Sequence, residues 1–192
     1  AFEAGKPLSP RDVVQDLWRS LNAVGPRMSH EEPEGPGLHG EVIKAETLWS
    51  CTTCQACTDV CPLAVDPVGL ITDMRRFLIG EGALSGPPAA ARRKVQRSGR
   101  PWGLPKQDRF GWAEGLEVAT VLTNPEFEVL YWIGCAASYD RRAQKVARAV
   151  VKLLEIAGVN YATLGPEERC NGESARRMGD EFLFQELAGE NV

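Results

Sequence analysis

The sequence predicts an α+β chain: a helical first part, a connector, and a partial α/β unit at the end. Three observations carry this. Apolar residues recur at helical spacing on both sides of a dense cysteine run between positions 51 and 61. Residues 83–128 then hold Pro87-Pro88, a basic cluster and a second proline pair at 101 and 105, the composition of a connector. After residue 128 the period changes, and two short apolar runs bracket an amphipathic segment, the pattern of a βαβ unit. The expected organisation is 1–82, 83–128 and 129–192.

At 192 residues the chain can bury a core and hold one or two domains. With 43% hydrophobic and 25% charged residues it has the composition of an ordinary globular protein. A net charge of −4 gives no reason to expect nucleic acid as a partner. No apolar run reaches the length of a membrane span; the longest, from Val129 to Ser138, is interrupted by Gly134 and Cys135. No signal peptide is visible, so a cytoplasmic chain is expected, meeting a membrane only through a partner or a segment outside this sequence.

In chain order, Ser9-Pro10-Arg11-Asp12 starts a helix, with Ser9 as N-cap and Asp12 answering it. Val13, Val14, Leu17, Trp18 and Leu21 share its inward face, and Gly25-Pro26 stops it. Residues 26–40 are rich in Pro, Gly and Glu and read as a surface loop carrying both histidines, His30 and His39, as solvated side chains. A short helix over 43–49 leads to Cys51. Asp66-Pro67 restarts a helix with Leu70, Ile71, Met74, Phe77 and Leu78 inward. In the connector, Arg92, Arg93, Lys94, Arg97 and Arg100 form a basic, solvated helical face, and Trp102, Phe110 and Trp112 pin the segment down. Residues 128–133 read as a buried strand and 138–157 as a helix with Val146, Val150, Leu153 and Leu154 inward. A second strand follows over 159–164, then a helix through Met178, Phe182, Leu183 and Leu187.

The chemistry concentrates in Cys51-Thr-Thr-Cys54-Gln-Ala-Cys57-Thr-Asp-Val-Cys61-Pro62. This C-x2-C-x2-C-x3-C-P spacing is that of bacterial-type [4Fe–4S] sites. Cys51, Cys54 and Cys57 can wrap one tight loop and present thiolates to three irons of a cube. Cys61 lies too far along to reach back and is expected to ligate a second cluster. Zinc sites separate their cysteine pairs by a dozen or more residues, and disulfides need an oxidising compartment, so both fit poorly. The run lies between helices, which makes 1–82 a helical ferredoxin domain.

Cys135 and Cys170 each follow a predicted strand, at the edge where open α/β sheets bind ligands. Two buried structural cysteines explain the local pattern equally well. The first strand is not followed by G-x-G-x-x-G, which argues against a dinucleotide site.

Taken together, these residues resemble the iron–sulfur oxidoreductases related to the heterodisulfide reductase catalytic subunit. The similarity runs from Gly5-Lys-Pro-Leu-Ser-Pro10 and the cysteine run to Ile71-Thr-Asp-Met-Arg-Arg-Phe77. It continues through Pro101-Trp-Gly-Leu-Pro105, Tyr131-Trp-Ile-Gly-Cys-Ala136 and Cys170 to Gln185. The resemblance implies a second cluster run upstream of Gly5 and a C-x2-C beyond Val192. On this resemblance the sequence, which opens at Ala1 without an initiator methionine, is expected to be an internal portion of a longer chain. It also implies that 129–192 begins a cysteine-rich domain in which Cys135 and Cys170 supply part of a further cluster. Where that family has Cys-Cys-Gly, this chain has Cys170-Asn171-Gly172, one thiolate fewer. The function it implies is electron relay from a reduced donor, such as a flavoprotein or organic-acid dehydrogenase, towards a quinone or disulfide. The implied partners are a flavoprotein donor and a quinone-reducing or membrane subunit. The alternative is a disulfide-reducing enzyme with a catalytic cluster near Cys135 and Cys170.

Overall fold

The computed structural model describes residues 2–27 and 37–191. Helices dominate: α1 (Pro10–Val24), α2 (Ala45–Trp49), α3 (Ala56–Asp59), α4 (Pro67–Gly80) and α5 (Gly86–Ser98) come first. Then follow β1 (Val129–Leu130), α6 (Gly134–Tyr139), α7 (Arg141–Ile156), β2 (Tyr161–Ala162), α8 (Glu173–Arg177) and α9 (Glu181–Asn191). β1 and β2 pair in parallel, Val129 opposite Tyr161 and Leu130 opposite Ala162, with the helices α6 and α7 between them in sequence. The chain is therefore α+β, mostly helical with a small parallel sheet. It divides into two compact units, Ala1–Ala83 with Arg177–Asp180, and Leu84–Arg176 with Glu181–Val192.

In the first unit, α1 begins as its sequence dictates: the Asp12 amide donates to the Ser9 hydroxyl and Pro10 occupies the first turn. Its core joins Val13, Ile43, Leu48, Ile71, Met74 and Leu78, and Cys51 packs against that cluster. Trp18 and Leu21, expected inward, are exposed, while Val13 is buried in the core and Leu17 packs against it. Phe77 is likewise half out of the core, and its ring stacks on His39 with centroids 4.6 Å apart. His39 is thus a half-buried packing partner rather than a solvated histidine, while His30 lies outside the described residues. Segment Arg177–Asp180 closes this unit. Gly179 (φ 88°) packs so tightly on α4 that a Cβ there would sit 2.5 Å from the Arg76 backbone nitrogen.

The second unit holds two apolar clusters. One joins Trp112, Ala113, Ala147, Val151 and Tyr161; the other joins Val95, Cys170, Ala175, Leu183 and Leu187, with Cys135 and Phe184 against it. Of the aromatic pins, Trp112 is buried and Phe110 packs beside it, whereas Trp102 stays half exposed, edge-on to Tyr139. The buried strand expected over 128–133 shortens to β1, and both of its residues are exposed. β2 instead takes the centre, flanked on its other side by a parallel bridge between Thr163 and Thr120 of the connector. The expected helix over 138–157 breaks at Asp140, whose extended backbone restarts the helix and whose carboxylate accepts from the Arg142 and Ala143 amides. That restart turns Ala147 and Val151 inward and leaves Val146 and Leu153 60% and 64% exposed. The last expected helix divides into α8 and α9 at Gly179-Asp180, and Phe182 ends up 90% exposed.

Candidate functional site

The loop between α2 and α3 is built to aim cysteines at one point. Thr53 (φ 56°) and Gln55 (φ 65°) are left-handed non-glycine residues alternating with Cys54, so the chain reverses twice between Cys51 and Cys57. Such conformations cost on the order of 1–3 kcal/mol each and collect at functional sites. They turn backbone donors towards sulfur: the Thr53 amide donates to Cys51 Sγ at 3.4 Å. The Cys54 thiol is drawn below its usual pKa, first by the Ala56 amide and then by the Thr52 hydroxyl. Amide donors to sulfur stabilise the thiolate, the form that binds metal.

Cys51, Cys54 and Cys57 line one cavity of about 610 Å³, together with Lys6, Ser9, Val68 and Ile71. Cys61 is not part of that lining. It follows α3, and the chain beyond it turns through Ala64 (φ 51°) to Asp66. The Asp66 carboxylate caps α4 through the Val68 and Gly69 amides and accepts the Thr58 hydroxyl, tying α3 to α4. Among the described residues, no group of three His, Cys, Asp or Glu side chains converges closely enough to hold a single metal ion. Behind the loop, the buried Arg75 donates to the carbonyls of Leu48, Cys51 and Arg177. The Arg177 guanidinium in turn reaches the Thr52 carbonyl at 3.5 Å.

The second cysteine site lies in the other unit. Cys135 opens α6 after Gly134 (φ 76°). Cys170 is held from three sides: its amide donates to the Gly99 carbonyl, its carbonyl accepts from Asn191 Nδ2, and the neighbouring Arg169 amide donates to Asn191 Oδ1. Cys135 packs against the apolar cluster that contains Cys170, and the two thiols influence each other's acidity. The Cys170 thiol, and then burial, push the Cys135 thiol far up against the pull of Arg109. The Cys135 thiol in turn, helped by the Gly172 amide and Arg109, brings Cys170 down to about 6. Cys170 is therefore the more acidic of the two thiols.

A buried ion pair frames these sulfurs. Arg109 and Glu168, both 1% exposed, meet at 2.5 Å. Arg109 sends its other arm to Cys135 Sγ at 3.5 Å and also donates to the Arg169 carbonyl. The Glu168 carboxylate accepts the Ile133 and Gly134 amides, fixing the turn that presents Cys135. Next to Cys170, Asn171 is exposed, and its side chain accepts the Glu173 amide. A side chain at Gly172 would be strained by its left-handed backbone (φ 77°) and crowded, with a Cβ 3.2 Å from Phe184 Cα.

The sequence singles out all six cysteines as candidates, and the structure adds Arg75, Arg109 and Glu168 beside them. Arg75 had a signal: with Ile71, Met74 and Leu78 it completes an i, i+3, i+4, i+7 stripe, so a cation sits in the middle of the inward face of α4. Arg109 and Glu168 are 59 residues apart in irregular segments, and no local pattern marks either.

Comparison with known proteins identifies the family. Residues 129–192 match the family described as a cysteine-rich domain. The chain is 44% identical to the probable iron–sulfur-binding oxidoreductase FadF of Bacillus subtilis, aligned over 100% of this chain and 33% of that protein. It is 34% identical to EtfAB:quinone oxidoreductase of Syntrophomonas wolfei, over 100% of this chain and 31% of that protein. To a component of the dihydromethanophenazine:CoB–CoM heterodisulfide reductase of Methanosarcina barkeri it is 28% identical, over 100% of this chain and 47% of that protein. The chain thus spans a third to a half of the length of these relatives. No solved structure matches it.

Proposed function

Because the chain belongs to the iron–sulfur oxidoreductases related to heterodisulfide reductase, we propose that it is the cluster-binding relay segment of such an enzyme. In this reading 1–82 is a helical ferredoxin domain, 83–128 a connector and 129–192 the first part of a cysteine-rich domain. Cys51, Cys54 and Cys57 hold one [4Fe–4S] cluster, Cys61 ligates a second, and Cys135 with Cys170 contributes two thiolates to a further one. The observation that carries it is the cavity shared by Cys51, Cys54 and Cys57 and not by Cys61. That division matches the ligand exchange between adjacent cluster runs.

When bound, a [4Fe–4S] cluster supplies a centre that takes up and gives back one electron. The chain's own residues do the rest. The loop holds three sulfurs towards one cavity, and the Thr53 amide donates to the first of them. Leu8, Val68 and Ile71 line the cavity with apolar surface, which limits water and sets the local dielectric. The electron donor is a reduced flavoprotein or organic-acid dehydrogenase, and the acceptor a quinone-reducing or membrane subunit, in keeping with the relative named for EtfAB and quinone. No helix among the described residues is long and apolar enough to cross a membrane, so we assign membrane contact to a partner or to a segment outside this sequence.

The packing of Cys135 against the cluster that holds Cys170, with Arg109 beside it, favours a second reading, a disulfide-reducing site. Asn171 weighs against it, since only one sulfur stands at that turn. The two readings part under one experiment on the anaerobically purified holoprotein. Electron relay predicts that visible cluster absorbance bleaches on adding a reduced flavoprotein and returns on adding a quinone analogue. Reoxidation by a small organic disulfide but not by the quinone would select the disulfide reading instead.

A further inference from the structure

Arg75 is a buried cation whose partners are all neutral. It is 4% exposed. Its Nε and Nη2 donate to the Leu48 carbonyl at 3.1 and 2.6 Å, Nη2 donates to the Cys51 carbonyl at 2.6 Å, and Nη1 donates to the Arg177 carbonyl at 2.7 Å. The guanidinium also lies over the Trp49 ring, 5.2 Å from its centroid. Among the described residues no carboxylate pairs with it. The other deeply buried arginine, Arg109, has Glu168. Burying an unpaired charge costs several kcal/mol, and side chains that stay charged in a core are paired or face a metal centre. Four carbonyl bonds satisfy the donors of Arg75 without neutralising it.

The anion it lacks is supplied by the chemistry of the adjoining cavity. Cys51, whose carbonyl Arg75 holds, is one of the three cysteines lining that cavity. Arg75 Nη2 holds the Cys51 carbonyl at 2.6 Å, so the guanidinium sits beside the residue that presents the first sulfur. Thiolates on iron make a net negative group, and one-electron reduction adds a further negative charge. A fixed cation beside it in low dielectric therefore stabilises the reduced form more than the oxidised form.

We propose that Arg75 is the counter-cation and positioning residue of the cluster site formed by Cys51, Cys54 and Cys57. It clamps the Leu48–Cys51 turn that presents the first ligand, and its charge raises the reduction potential of whatever cluster that site holds. The inference rests on the reading that these three cysteines bind a [4Fe–4S] cluster. It adds a residue that acts through charge and backbone rather than by ligation.

The test is a potentiometric titration of the holoprotein followed by electron paramagnetic resonance, with Arg75→Gln and Arg75→Lys beside the unaltered protein. At the potential where the unaltered site is half reduced, Arg75→Gln is expected to favour the oxidised form at least tenfold, a downward shift of about 59 mV for one electron. Arg75→Lys keeps the charge, but one ammonium cannot bridge the Leu48, Cys51 and Arg177 carbonyls together. It should stay within threefold of the unaltered equilibrium while losing cluster absorbance to an iron chelator several-fold faster. A folded, iron-loaded Arg75→Gln protein with an unchanged equilibrium overturns the proposal. So does an Arg75→Lys protein that shifts as far as Arg75→Gln. If Arg75→Gln does not fold, judged by circular dichroism, Arg75→Lys decides, and bleaching at the unaltered rate rejects the positioning role. Failure of the underlying reading is distinguishable: Cys54→Ser would then retain full iron content and the same signal, whatever Arg75 does.

Discussion

Replacing Cys54 with serine is expected to remove a whole cluster from the purified holoprotein, read as a loss of about four irons and four acid-labile sulfides. The strained turns at Thr53 and Gln55 have no purpose in a loop that only connects two helices. They direct Cys51, Cys54 and Cys57 at one cavity, and a hydroxyl in place of one sulfur is a poor ligand for an iron–sulfur cluster. Cys61→Ser should remove iron of a different kind, because Cys61 stands outside that cavity. The two variants are expected to lose different components of the paramagnetic resonance spectrum. Loss of the same component from both would place all four sulfurs on one cluster. Both variants should keep their helical circular dichroism, since Cys54 is exposed and Cys61 only half-buried.

Replacing Glu168 with glutamine is expected to cost about 3–5 kcal/mol of stability in the second unit. The change leaves Arg109 buried at 1% exposure with no counter-charge. It also turns an amide NH₂ towards one of the two backbone N–H groups of Ile133 and Gly134, where each now has its own carboxylate oxygen. Denaturant unfolding measures it as a lower midpoint at unchanged slope. The double change Arg109→Met with Glu168→Met removes both charges and should cost much less than the sum of the two single changes. A Glu168→Gln protein within about 0.5 kcal/mol of the unaltered one would contradict a structural role for the pair.

What the sequence disclosed, and what it concealed, follows from the range of each interaction. The cysteine run is local: its spacing alone separates Cys51, Cys54 and Cys57 from Cys61, and the caps at Ser9 and Asp66 are set within three residues of their partners. The parallel pairing of β1 with β2 was legible from the strand–helix–strand pattern. Burial was not. An apolar stripe shows that a helix has an inward face, but its rotation is set by distant partners, so Val146 and Leu153 point out while Ala147 and Val151 point in. Asp140 reads as one polar residue in a helical stretch until its carboxylate is seen capping the helix after it. Arg109 and Glu168 meet across 59 residues of irregular chain, and only tertiary structure makes them a pair.

The most direct test of the electron-relay reading is a reversible redox titration of the anaerobically purified holoprotein, monitored by paramagnetic resonance. The reading predicts that signals of reduced [4Fe–4S] clusters grow as the potential is lowered and vanish as it is raised, with the same midpoint in both directions. It also predicts that Cys54→Ser deletes one of them. A protein that contains iron and sulfide but neither accepts nor returns an electron in that titration would show the metal at Cys51, Cys54 and Cys57 to be structural, and would contradict the account.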